Sequence, residues 1–171
     1  MKKFEIAENP EILLDKEFNC NSVQLEGHNL NGDYRKINVN DVIDVYVENY
    51  EEQYANFKKQ IEQFDKYNGC IHMAGKFAFA IKNQKISQII LRGKYIDNLM
   101  KLKSTDIINF HGKPDKILIE IDPWEWTEVE NKEILVYSKK KLYFFIDSRT
   151  KRVSEIHIGN VNEKYYSSPK K

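Results

Sequence analysis

The stretch "NDVIDVYVENYEEQYANFKKQIEQFDKYNG", Asn40 to Gly69, decides how the whole chain is read. Ile43, Val47, Tyr50, Tyr54, Phe57, Ile61 and Phe64 recur at steps of three and four, which puts them on one stripe of an α-helix. The other face collects Glu48, Glu51, Glu52, Lys58, Lys59, Glu62 and Lys66. Asn40 suits an N-cap, and Asn68-Gly69 suits a stop. The spacing therefore predicts a helix over about 40–67. Val42 to Val47 ("VIDVYV") is β-branched and alternates, so the helix starts at either Asn40 or Asn49.

Past Gly69 the period drops to two. Phe77, Phe79 and Ile81 point one way and Ala78 and Ala80 the other; "KNQK" supplies a turn, and Ile86 to Leu91 forms the return strand. Ser104 or Thr105 is placed to cap a short helix over about 104–111, with Asp106 near its positive end and Ile107, Ile108 and Phe110 as its apolar side. Gly112 stops it and Pro114 forbids its continuation. Strands are expected at Lys116 to Ile121, Glu133 to Ser138, Leu142 to Asp147 and Arg152 to Ile158. Upstream of the long helix, "SVQLEG" and "DYRKINV" read as short strands around the turn "HNLNGD". The first 20 residues have no clean period.

The expected fold is α+β: an antiparallel sheet of six or more strands, with the helices at about 40–67 and 104–111 packed on one face. A length of 171 residues fits one domain. Its sub-halves would fall at 1–92 and 93–171, with a polar, disordered tail at about 162–171.

Composition narrows the function classes. Hydrophobic residues make up 41% and charged residues 31%, which describes a polar globular chain rather than a disordered one. Net charge is +1, with an acidic excess before residue 91 and a basic excess after it. Neither half is basic enough to make nucleic acid the main partner. No apolar run approaches the roughly 20 residues of a membrane span. The start, "MKKFEIAENPEILLDKEF", is interrupted by acids throughout and does not read as a signal peptide, so a cytoplasmic location is expected. Cys20 and Cys70 are expected to be reduced and structural in that compartment.

Chemistry leaves few marks. His28, His72, His111 and His157 are scattered. Cys70 and His72 share one side of a strand, but two ligands do not make a zinc site. His111, in the helix stop, is expected to bond to carbonyls there. No nucleophile motif and no glycine-rich phosphate loop is present. No catalytic residue, metal or cofactor is expected.

The order of helix, "G-x-P-D", and strands resembles a recurring bacterial module, the small outer-membrane lipoproteins of the SmpA/OmlA type with their β-lactamase-inhibitor-protein-like fold. Ser104, Asp106, Ile107, Phe110, Gly112, Pro114 and Asp115 carry the first part, and Tyr137, Leu142, Phe144, Asp147 and Ile156 the later strands. The resemblance covers about 95–158, and the lipoprotein signal with its cysteine has no counterpart here. It implies helices laid on one face of an antiparallel sheet, and binding rather than catalysis. In general character the chain is also similar to small bacterial toxin-immunity proteins.

The most unusual composition lies in "EIDPWEWTEVENKE", Glu120 to Glu133, which packs six acidic side chains and two tryptophans into fourteen residues. Trp124 and Trp126 have the same parity, so they project from one side of an extended segment. They are either a sheet-covering pair or anchors of an interface, where tryptophans are favoured. Carboxylates around them would speed association with a basic partner. The candidate partner-binding residues are Asp122, Trp124, Glu125, Trp126, Glu128 and Glu130. An alternative set is the acidic face of the long helix at Asp44, Glu48, Glu51 and Glu52. The expected function is a non-enzymatic protein-binding module, most concretely an immunity or inhibitor protein that neutralises a basic toxin such as a nuclease. The alternatives are a small-ligand-binding or enzymatic domain, and a structural homodimer.

Overall fold

The computed structural model of the chain describes residues 3–47, 69–74, 77–120, 132–161, 163, 166 and 167. Among them the architecture is mostly β. Two short strands, β1 (Phe4–Glu5) and β2 (Val23–Gln24), pair in parallel. The other nine are β3 (Val42–Val47), β4 (Gly69–Met73), β5 (Phe77–Lys82), β6 (Lys85–Leu91), β7 (Lys116–Glu120), β8 (Lys132–Tyr137), β9 (Leu142–Ile146), β10 (Val153–Gly159) and β11 (Tyr166–Ser167). They form one sheet in the order β11-β7-β8-β9-β10-β6-β5-β4-β3, with every neighbouring pair antiparallel. Two four-stranded meanders, β3 to β6 and β7 to β10, therefore meet through their last strands. Ile156 is level with Leu91, and Ile158 with Ile89.

This corrects the α+β expectation of a long and a short helix on one sheet face. Val42–Val47 is a strand, with Val45 level with Ile71 and Val47 with Gly69. The β-branched alternation of that stretch prevails over its helical spacing because a pairing strand is available at Gly69–Met73. Asp44 accordingly sits in a strand, opposite His72, and not on a helix face. The remainder of the expected long helix, residues 48–67, lies outside the described residues.

One α-helix is present among the described residues, α1 (Ser104–His111). Its N-cap is Lys103, not Ser104 or Thr105; the Asp106 carboxylate accepts the Lys103 backbone N–H at 2.8 Å. Ile107 and His111, four apart, form its buried side, with Ile108 packed beside them, while Phe110 is 43% exposed. At Gly112 the chain leaves the helix with φ +82°.

Alternation along the strands divides the sheet into two faces. One carries Ile71, Phe77, Phe79, Ile89, Leu91, Leu135, Phe144, Ile156 and Ile158. A layer made by residues 3–41 covers it, contributing Ile6, Leu13, Phe18, Val23, Leu25, Tyr34 and Ile37, together with Ile96, Leu99 and Ile107 from the approach to and body of α1. The other face holds Leu118, Ile134, Val136, Tyr143 and Phe145 in one cluster and Ala78, Ala80 and Ile90 in another.

The covering layer is built from turns. Pro10–Leu14, Cys20–Ser22, Tyr34–Lys36 and Val39–Asp41 are single 3-10 turns. The expected strand pair around "HNLNGD" reduces to β2 and a two-residue turn at Glu26-Gly27, closed by Leu25 N–H to His28 O at 2.8 Å and His28 N–H to Leu25 O at 3.0 Å. Tyr166–Ser167, in the polar tail, lie beside Glu120 and Ile119 of β7.

Candidate functional site

The covering layer carries a groove of about 350 Å³, lined by Phe4, Asn9, Glu11, Ile12, Asp15, Glu17, Phe18, Asn19 and Ser22. Pro10 at the first helical position starts the turn that carries Glu11 and Ile12, since its fixed φ suits that place and its missing N–H is not needed there. Leu13 of the same turn is fully buried and anchors it. Asp15 then captures the Glu17 N–H at 2.9 Å, and Asn19 captures the Asn21 N–H at 2.9 Å. Each is a side chain mimicking a backbone turn. The result is three carboxylates, Glu11, Asp15 and Glu17, beside the apolar side chains of Ile12 and Phe18, with no cation among the described residues that line the groove. Phe4 stands at its edge, 58% exposed.

None of these residues has a functional role in the expectations drawn from the sequence, because the first 20 have no clean period. The available signal was five acids, Glu5, Glu8, Glu11, Asp15 and Glu17, interleaved with Phe4, Ile12 and Phe18. Of the residues expected to bind a partner, Asp122, Trp124, Glu125, Trp126, Glu128 and Glu130 lie outside the described residues, as do Glu48, Glu51 and Glu52. The flanks of the tryptophan stretch, Glu120 and Lys132, are level with each other on β7 and β8.

A second concentration of polar groups lies on the sheet face away from the covering layer. Glu155 Oε1 is 3.1 Å from Arg92 Nε and 3.3 Å from His157 Nε2. The His157 ring lies on Phe145 with centroids 4.3 Å apart, and its Nδ1 is buried without a hydrogen-bond partner among the described residues. Burial would raise the Glu155 pKa, but His157, Arg92 and Lys132 together outweigh it and hold the carboxyl below the usual range. This is a charge-compensated cluster in which Arg92 Nε and both His157 ring nitrogens are buried, while the Arg92 side chain as a whole is 43% exposed.

Neither cysteine is in a disulfide. Burial raises the Cys70 thiol above its ordinary value, against the opposing pull of Arg92, which disfavours the thiolate that nucleophilic chemistry needs. Among the described residues no three of His, Cys, Asp and Glu come together as a metal site. Among them, too, no helix is long and apolar enough to cross a membrane. His111 does bond to a carbonyl, but that of distant Leu13 rather than one in its own helix stop.

Comparison with known proteins gives no match: no family model fits the chain, and no curated protein or solved structure is significantly similar to it.

Proposed function

We propose that this chain is a non-enzymatic protein-binding module, most concretely a cytoplasmic bacterial immunity protein that neutralises a toxin with a basic surface, such as a nuclease, by direct contact. The supporting observation is the acidic groove of the covering layer, with Glu11, Asp15 and Glu17 beside Ile12 and Phe18 and the exposed ring of Phe4 at its rim. Exposed carboxylates steer a basic partner and raise its association rate, while a buried aromatic anchor slows dissociation. Nucleases offer such a partner surface, because clefts that bind phosphate backbones are basic. Asp122 to Glu130 with Trp124 and Trp126 form a second acidic and aromatic segment suited to the same class of partner.

An enzymatic reading gains less support. The raised thiol pKa of Cys70 and the buried ring nitrogens of His157 give a substrate little to meet.

The test is a photo-crosslinking amino acid in place of Phe4, used in the native cells, with the crosslinked species identified by mass spectrometry. The expected product is one dominant adduct with a protein whose pI exceeds about 9. Adducts only to acidic proteins, or none above those formed by a crosslinker at Arg149, would remove the groove from the proposal.

A further inference from the structure

The large sheet repeats one four-stranded unit. Ile71 is level with Phe79 in the first meander, and Leu135 with Phe144 in the second. Val45 stands beside Ile71 as Ile117 stands beside Leu135. The bulge falls at the same place in both. Ile81 is level with Ile86 and Ala80 with Gln88, while Ile146 is level with Val153 and Phe145 with Glu155. The skipped serines also bond alike: Ser87 Oγ donates to Ala80 O at 3.1 Å, and Ser154 Oγ to Phe145 O at 3.2 Å. Where the units meet, Ile156 is level with Leu91 and Ile158 with Ile89, so Ile90 and His157 flank a local two-fold axis. The outermost strands of the two units, β3 and β7, are therefore equivalent.

They are not finished alike. The sheet ends at β3, whereas β7 has a further neighbour in β11. That neighbour comes from the end of the chain, which leaves β10 on the opposite side of the second unit. Val161 packs against the cluster of Leu118, Ile134, Val136, Tyr143 and Phe145. The Glu163 carboxylate accepts the Tyr143 hydroxyl at 3.3 Å and pairs with Lys116 of β7. Tyr166 and Ser167 then lie level with Glu120 and Ile119.

This attachment is thin. Every other neighbouring pair in the sheet is level at four or more positions, and this one at two. Val161 is only partly buried, and the Lys116 and Glu163 side chains remain 44% and 32% exposed. Ion pairs so open to solvent contribute little. A short strand near a chain end, with few buried contacts, opens at lower free energy than the ladder beside it. Among the described residues, the first unit holds its outer strand without any such addition.

We propose that Val161, Glu163, Tyr166 and Ser167 belong to a detachable strap over a strand-docking edge. Attached, the strap closes the outer side of β7 at Ile119 and Glu120. Detached, it opens that side to an extended segment of the same pattern. Unpaired edge groups take up an added strand through main-chain hydrogen bonds, and side-chain contacts set the choice. The pattern required is an apolar residue against the Tyr143 and Phe145 cluster and, two positions on, an acid for Lys116. The strap rests on its own contacts and is independent of the binding proposal above.

The experiment is peptide-resolved hydrogen exchange on the full chain over a range of low urea concentrations. Amides at 161–167 should be protected, yet exchange several-fold faster than those of β8, at a rate that low urea leaves unchanged. Glu163→Gln should speed them several-fold further and leave β8 and β9 as they were. A synthetic peptide of residues 160–171 at about 10 mM, above the millimolar effective concentration of a short tether, should expose the chain's own 161–167 while β7 stays protected. A scrambled peptide should leave the chain unchanged. No protection at 161–167 in the parent would mean that no strap is attached, and overturns the proposal. Exchange at 161–167 and β8 rising together with urea would mean that the segment opens only with the sheet, which overturns it as well. So does a Glu163→Gln variant that loosens β8 and β9 equally, or a segment that the matching peptide displaces no better than the scrambled one. Should Glu163→Gln fail to fold, the urea series and the peptide on the parent chain decide. No toxin enters any arm, so a failed binding proposal leaves this result untouched.

Discussion

Strands β5 and β6 and the covering layer at residues 3–41 press against opposite sides of one core, but different forces hold them in shape. The hairpin is a ladder: Phe77 is level with Leu91 and Phe79 with Ile89, and the inward side chains of both strands are buried. The layer has almost no ladder. Its backbone groups are satisfied locally, by Asp15 on Glu17, Asn19 on Asn21, Asp33 on Arg35 and Asn38 on Asn40, each a carboxylate or amide oxygen accepting the N–H two residues on. Glu5 goes further and accepts the N–H groups of Ala7, Glu26 and Gly27. A sheet built this way tolerates little change in its interior. A layer built from separate turns can present irregular features such as a groove, and it can be released in parts.

If that contrast is right, the largest loss should come from the sheet. Phe144 is fully buried at its centre, and Phe144→Ala should cost about 3–5 kcal/mol in a urea melt, as large core truncations do. A loss below about 1 kcal/mol would mean that the core has been placed wrongly.

Two glycines sharpen the contrast. Gly159, at the end of β10, has φ +120°, and a Cβ there would sit 2.2 Å from Ser87 O. Gly112 has φ +82° and open space around the same position. Gly159→Ala carries both a backbone penalty and a clash and should cost about 2–4 kcal/mol, whereas Gly112→Ala carries the backbone penalty alone and should cost about 1–2 kcal/mol. Equal melting of the two variants would show that the β10–β6 contact gives way easily.

An effect of the same size as that of Gly112→Ala concerns the layer. Glu5→Gln keeps one acceptor oxygen of two and should lose about 1–2 kcal/mol. The faster exchange should be confined to residues 5–7 and 25–28. Loss spread evenly over β5 and β6 would break the distinction between ladder and turns.

The same contrast explains what could be read from the sequence. The strands from β5 to β10 and α1 were legible, because period two and the Gly112 and Pro114 stop signals are strong local statements. The stretch at Val42–Val47 satisfied two periods at once, and only the presence of a partner strand at Gly69–Met73 decides between them. The layer was not legible by periodicity, since single 3-10 turns and two-residue strands have no period to detect. Its signal was instead the series Asp15, Asn19, Asp33 and Asn38, each placed to capture an amide two residues later. The groove carboxylates were missed for the same reason. The inward His111 was misassigned because its acceptor, Leu13, is 98 positions away.

The most direct test of the binding proposal is a stopped-flow titration of the crosslink-identified partner against the Glu11→Gln, Asp15→Asn, Glu17→Gln triple variant, across a series of salt concentrations. The Asp15→Asn change retains a side-chain oxygen to hold the Glu17 N–H, so the turn should survive, and unchanged melting would show that it has. The account predicts association slowed by about tenfold or more at low salt, with its salt dependence flattened and dissociation little changed. The same neutralisation at Glu125, Glu128 and Glu130 measures the share of the tryptophan stretch. Association of the groove variant at the parental rate, with the parental salt dependence, would contradict the claim that this acidic layer receives a basic partner.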